Sequence, residues 1–139
     1  MGREKSDGQR LSIIIPVLNE ERSLARILSA FESWERITSE IIVVDGGSAD
    51  RTLDVAGEYS CTVISAAKGR ASQMNAGANY ATGEILLFLH ADTTLPAAAA
   101  QLIEEALHRE VGDSKGFKRA DWGWFDVRLD GDGFAFRVI

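Results

Sequence analysis

The sequence predicts an α/β fold, a mostly parallel sheet with helices on both faces, and three observations carry that prediction. Strand-like apolar runs alternate with segments of helical spacing. The first run, Leu11-Ser-Ile-Ile-Ile-Pro-Val17, is almost wholly apolar, as expected of a strand buried on both faces. Three apolar runs each end in a polar cluster: Leu18-Asn19-Glu20, Asp45-Gly-Gly-Ser-Ala-Asp50 and His90-Ala91-Asp92. Open α/β sheets bind ligands beyond the carboxyl ends of their strands, so polar clusters at several such ends mark a candidate site.

The elements follow in order. After the strand Leu11–Val17, a helix is expected from about Glu20 to Ser33, with Leu24, Ile27, Leu28 and Phe31 at helical spacing. The second strand covers Glu40–Val44. Ser48 is placed to cap a short helix burying Leu53 and Val55 or Ala56, although Arg51 stands where a capping box has a glutamate. The third strand is Thr62–Ser65. Gly69 opens an alanine-rich helix carrying Met74, Ala78 and Tyr80 and closed by Gly83. The fourth strand is Glu84–Leu89. Pro96 suits the first turn of a helix through Leu102, Ile103, Ala106 and Leu107. Gly112–Arg119 reads as a loop and Trp122–Leu129 as a fifth strand. Residues 1–10 form a charged tail, 11–111 the α/β domain, and 112–139 a loop and the start of a further region. Right-handed crossovers favour the strand order 3-2-1-4. The crevice then lies between the Asn19–Glu20 end and the His90–Asp92 end, with Asp45 one strand over.

A chain of 139 residues is sized for one domain with a real core. Its net charge of −6 argues against general nucleic-acid binding, while Lys68 and Arg70 leave room for a small phosphorylated ligand. Cys61 is alone, which excludes an intramolecular disulfide and a cysteine-rich zinc site. That suits a reducing, cytoplasmic setting. No apolar run is long enough for a transmembrane segment, and the start lacks the apolar stretch of a secretory signal. Met1-Gly2-Arg-Glu-Lys-Ser6 meets the loose myristoylation pattern, as a short charged tail does by chance.

Asp92 is the sharpest position. A carboxylate just past a buried strand suits a divalent cation that bridges phosphate oxygens, and it equally suits the cap of the turn that Thr93, Thr94 and Pro96 begin. His90 is open to three readings: a second metal ligand, a hydrogen-bond partner of Asp92, or a satisfied strand-end histidine. Asp45 heads an Asp-Gly-Gly turn, where it serves the turn or accepts hydrogen bonds from a base or ribose. Asp50 reads as a helix-start charge. Lys68-Gly69-Arg70 precedes a helix whose free N–H groups could meet phosphate, or is a solvated basic turn. Gln73 and Asn75 read as exposed filler. No GxGxxG follows the first strand and no GxxxxGK[ST] occurs, so a nucleotide would have to be held by a metal and side chains. Trp122, Trp124 and Phe125 read as core or, less simply, as a sugar-stacking platform.

Four ordered motifs, Leu11-Ser-Ile-Ile-Ile-Pro-Val-Leu-Asn-Glu20, Ile42-Val-Val-Asp-Gly-Gly-Ser-Ala-Asp-Arg-Thr52, Gly69-Arg-Ala-Ser-Gln-Met-Asn-Ala-Gly77 and Ala81-Thr-Gly-Glu-Ile-Leu-Leu-Phe-Leu-His-Ala-Asp92, resemble the family 2 glycosyltransferases of GT-A fold. Through His90-Ala91-Asp92 and the Trp122–Leu129 segment, the likeness extends to a bacterial branch linked to arsenosugar biosynthesis. The resemblance implies inverting transfer of a sugar from a nucleotide-diphosphate donor, a UDP-sugar first among them, with a Mn or Mg ion. It implies that Pro16, Val17, Leu18, Asn19 and Glu20 line the nucleoside pocket and that Asp45 holds the base or ribose. Arg70 would lie near the diphosphate, and Asp92, with His90, would carry the metal. His90 stands where many members have aspartate, and Leu18 where tyrosine is frequent. Inverting transfer needs a general base, which the family places downstream of the metal motif. Asp126, Asp130 and Asp132 do not match its pattern. The base is therefore expected beyond residue 139, and the chain reads as the donor-binding portion of a longer enzyme with its acceptor unknown. Two other readings compete. One is a non-catalytic nucleotide-binding module that forms a homo-oligomer. The other is a nucleotidyltransferase, which would have a glycine-rich basic loop where Asn19-Glu20-Glu21-Arg22 stands.

Overall fold

The structure, a computed structural model, describes residues 11–34, 38–108, 110–113 and 116–119. The chain divides into two compact units, Met1–Ala100 and Gln101–Ile139. The first holds a four-stranded parallel sheet of β1 (Leu11–Val17), β2 (Thr38–Asp45), β3 (Thr62–Ser65) and β4 (Ile85–Phe88), in the order β3-β2-β1-β4. This is the expected order. In register, Ile14 lies between Ile42 and Phe88, and Val17, Asp45 and Ser65 stand level at the carboxyl ends.

Central β1 is buried on both faces. Alternation sends Ile14 to one face and Ile13 and Ile15 to the other, and all three are fully buried. The edge strands β3 and β4 alternate between half-buried and exposed. Helix α3 (Arg70–Tyr80) crosses β1 and β2, and small residues let it come close. A Cβ added at Gly77 would sit 2.4 Å from Ile14 Cγ2 and 3.1 Å from Val44 Cγ2. Around that contact Ala76, Ala78 and Ala81 pack against Ile14, Ile42 and Val44.

Helix α1 (Leu24–Ala30) buries Leu24, Ile27 and Leu28 and runs into a 3-10 turn, Phe31–Trp34, whose two rings meet edge to face at 5.0 Å. Helix α2 (Thr52–Ala56) buries Thr52 and Ala56. The Cys61 thiol donates to Ala56 O at 3.3 Å, and burial pushes its pKa up, so it packs rather than ionises. Helix α4 (Ala99–His108) begins three residues after Pro96, whose carbonyl accepts from Ala99 N–H. Two short antiparallel strands follow, β5 (Glu110–Asp113) and β6 (Gly116–Arg119). No described helix is long and apolar enough to cross a membrane.

Several expectations need correction. The first helix starts at Leu24 rather than Glu20, because the residues before it are drawn into bonds with another loop. Leu53 is exposed rather than buried. The third helix ends at Tyr80, ahead of Gly83, because Ala81 is extended. Gly112–Arg119 is not one loop: Asp113 and Gly116 pair across a two-residue connection, the shortest common hairpin link. The fifth strand expected at Trp122–Leu129, with Trp122, Trp124 and Phe125, lies outside the described residues.

At the amino end of the sheet, fully buried Ser12 donates to Glu40 Oε1 at 2.6 Å, and Thr82 adds its N–H at 2.6 Å and its hydroxyl at 3.0 Å. Gly83 N–H returns to Ser12 Oγ at 2.9 Å. This carboxylate ties β2 to β1 and to the turn before β4. Burial alone would raise its pKa, but the hydrogen bonds outweigh that and hold it below the ordinary 4.5. A depressed carboxyl stabilises the fold above the unfolded-state value, and its contribution fades as pH falls through the folded value. Glu40→Gln is therefore expected to cost about 1–2 kcal/mol near neutral pH, the worth of a charge-assisted hydrogen bond. The gap between variant and parent should narrow in urea titrations below pH 4.5. A gap independent of pH would show that the charge plays no part.

Candidate functional site

The carboxyl ends of β1 and β2 carry two loops, 18–23 and 46–51, that are bound to each other. Asn19 sits in the left-handed region at φ 54°, which asparagine tolerates better than most residues. That conformation lets its N–H donate to Ser48 Oγ at 2.9 Å while its Oδ1 accepts from Ala49 N–H at 2.8 Å. Glu20 N–H donates to Thr52 Oγ1 at 2.8 Å and Glu21 N–H to Asp50 Oδ2 at 3.2 Å, and Arg51 N–H returns to Glu21 Oε2 at 3.1 Å. Ser48 thus braces the β1 loop and does not cap α2, whose N-cap is Arg51. Asp50 anchors Thr52 and Glu21, and although its burial opposes this, those bonds hold its carboxyl below the ordinary value. The Glu20 carboxylate accepts from Ser23 Oγ.

Asp45 closes β2 and is 4% exposed. Its carboxylate accepts from Gly47 N–H at 3.0 Å and Ser48 N–H at 3.1 Å, a turn that φ 99° at Gly47 completes. Asp45 therefore shapes the loop at the carboxyl end of β2. Val17 is buried, Pro16, Leu18 and Glu20 are half-buried, and Asn19 is exposed.

On the far side of β1, Leu89 N–H still donates to Ile14 O beyond the end of β4, and Thr93 N–H closes a turn onto His90 O. Asp92 sits in that turn, exposed, and His90 is half-buried. The two side chains do not pair: among the described residues the single ion pair is Arg51–Asp54, at 3.5 Å on the exposed side of α2. Among the described residues no three His, Cys, Asp or Glu side chains gather into a metal cage.

Lys68 and Arg70 are exposed at the start of α3, where Gly69, at φ 142°, gives no side-chain cap. The structure thus brings Asn19, Glu20 and Asp45 together through the paired loops and leaves Arg70 and Asp92 as exposed charges at the same sheet edge.

One residue of this region escaped the sequence reading. Gln73 is 4% exposed, not filler. Its Nε2 donates to Val17 O and Val44 O, both at 2.8 Å, and its Oε1 accepts from Gly69 N–H at 3.4 Å. A signal was present: Gln73 and Gly77 are four apart and so share a helix face, and a glycine there marks the face that meets the sheet.

Comparison with known proteins agrees with this fold. The family model described as glycosyl transferase family 2 matches residues 12–125. A 4,4'-diaponeurosporenoate glycosyltransferase of Staphylococcus haemolyticus is 34% identical over 67% of this chain and 27% of its own. A PGL/p-HBAD biosynthesis glycosyltransferase of Mycobacterium bovis is 40% identical over 60% of this chain and 36% of its own. The chain thus spans about a third of the length of these curated relatives. Among solved structures, Staphylococcus aureus TarS superposes with a TM-score of 0.64 at 21% identity, over 70% of this chain and 32% of that one. Glucosyl-3-phosphoglycerate synthase of Mycobacterium tuberculosis, solved with Mn2+, UDP and phosphoglyceric acid, gives 0.57 at 23% identity over 60% and 33%. At such identities the structural likeness speaks for the fold, which is GT-A.

Proposed function

The chain belongs to glycosyl transferase family 2, and from that premise we propose that its first unit is the donor side of an inverting, metal-dependent glycosyltransferase taking a nucleotide-diphosphate sugar. The observation that carries the proposal is the sheet edge itself. Paired, hydrogen-bonded loops end β1 and β2, an uncapped helix start bears Arg70, and an exposed carboxylate, Asp92, follows β4. Solved relatives of this fold bind UDP with Mn2+ or Mg2+, which supports UDP as the nucleotide.

In this reading Pro16 to Glu20, with the Asp45 turn, border the nucleoside, and Arg70 and the α3 N-terminus face the diphosphate. The donor set fits a hard cation. Asp92 supplies an oxygen and His90 can add a nitrogen, and Mg2+ or Mn2+ characteristically completes its shell with water and substrate phosphates. When bound, such an ion stabilises charge on a departing diphosphate. The likeness to an arsenosugar-linked branch rests on His90-Ala91-Asp92 and residues 122–129 alone.

Calorimetric titration of UDP into the full chain, with Mn2+ and then with EDTA, tests the proposal. Binding that needs the metal is the expected result. A folded chain that binds UDP in neither condition would overturn the donor assignment.

A further inference from the structure

The Gln73 amide is bound at every polar atom, and its partners are distributed in a telling way. Val17 is the last residue of β1 and Val44 the next to last of β2, while Gly69 precedes the first residue of α3. Each partner therefore lies within two residues of a proposed nucleotide contact: Asn19, Asp45 and Arg70 respectively. One side chain joins the three segments that would hold the donor.

The seat of this side chain is specific. Gly46 is buried, and a Cβ there would come within 2.9 Å of Gln73 Cδ and Oε1 and 3.1 Å of Nε2. Gly46 N–H also donates to Val17 O at 3.0 Å, so that carbonyl is shared by the glycine and the glutamine amide. A buried, fully satisfied amide holds a single arrangement, because any other rotamer would leave polar groups unpaired.

We propose that Gln73 is a positioning residue, seated against Gly46, that fixes the span between the nucleoside loops and the phosphate-facing start of α3. The proposal rests on the donor reading above. It makes a demand that fold stability alone does not. Loosening the amide must weaken binding of a ligand that bridges both ends of the span more than binding of one that occupies only the nucleoside end.

The test compares UDP with uridine, by calorimetry on the full chain with Mn2+, for the parent, Gln73→Met and Gly46→Ala. Methionine keeps the length of the side chain and gives up all three hydrogen bonds. Alanine at position 46 keeps the glutamine but pushes its amide from its seat. In both variants UDP affinity should fall by about tenfold, the worth of one hydrogen bond lost between the displaced start of α3 and the charged diphosphate, with uridine affinity nearly unchanged. Melting temperatures, taken alongside, identify the temperature at which each variant is folded. A lower melting temperature with an unchanged ratio of UDP to uridine affinity would assign Gln73 a purely structural role and overturn the proposal. If Gln73→Met does not fold, Gly46→Ala decides on the same ratio. A parent that binds no UDP would remove the donor reading and this inference with it, whereas a binding parent with an unmoved ratio would remove the inference alone.

Discussion

Gly77→Ala is expected to destabilise the protein by about 2 kcal/mol, although alanine is the better helix former by about 1 kcal/mol. The gain in helix propensity is real but local. Against it stands a new methyl 2.4 Å from Ile14 Cγ2, well inside any tolerated contact, and 3.1 Å from Val44 Cγ2. Neither neighbour has room to retreat, since Ile14 and Val44 are fully buried in the two central strands. The strain can be relieved only by lifting α3 from the sheet or by forcing Ile14 off its rotamer, and overpacking of this kind typically costs about 1–3 kcal/mol net of any compensation. Urea unfolding of the full chain measures the loss. The geometry also dictates a coupling. Ile14→Ala removes the clashing Cγ2, so the double variant should lose less than the sum of the two singles, by more than the roughly 0.5 kcal/mol scatter of independent sites. Strict additivity, or an unchanged Gly77→Ala, would mean that the helix does not approach the sheet this closely. Because α3 carries both Arg70 and Gln73, lifting it should also disturb the proposed donor site.

Gly77 also shows what could be read in the sequence and what could not. The strands were legible because a parallel sheet demands long apolar runs, and Leu11–Val17 and Thr62–Ser65 were found at their observed bounds. The order 3-2-1-4 followed from crossover handedness. Helix starts were less legible, because start signals assume that a polar side chain serves its own helix. Here Ser48 braces Asn19, 29 residues away in sequence, rather than capping α2, and Asp50 and Thr52 take the N–H groups of Glu21 and Glu20. Leu53 was assigned to the core by residue type, yet in the short α2 the small Ala56 is buried and Leu53 faces outward. Gln73 was missed for the same reason: a glutamine is buried only when carbonyls await it, and those belong to strands far off in sequence. The residues proposed for the site after β1 and β2 were chosen because open α/β sheets bind ligands at strand ends. The turn role of Asp45 was one of its two readings and is seen in its bonds to Gly47 and Ser48, whereas nothing in the sequence shows that Asn19 holds the neighbouring loop in shape.

Asp92→Ala is expected to abolish the metal dependence of UDP binding while leaving the fold intact. The residue is exposed in the turn after β4, so truncation removes no core contact and stability should change by no more than about 0.5 kcal/mol. Its effect on the metal should be large for a reason of charge. In the proposed site Asp92 is the negative protein ligand of the cation. Loss of a residue that merely supports a metal ligand costs about 10–100-fold in affinity, and loss of the ligand itself should cost at least that much. The informative quantity is the ratio of UDP affinity with Mn2+ to that with EDTA. In the parent it should be well above one, in Asp92→Ala close to one, and in Asp92→Asn, which keeps an oxygen but not the charge, between the two. His90→Ala should lower the ratio less, since a neutral imidazole contributes no charge to offset the cation. Equal ratios in the parent and Asp92→Ala would separate Asp92 from the metal and return it to the turn that Thr93 N–H closes onto His90 O.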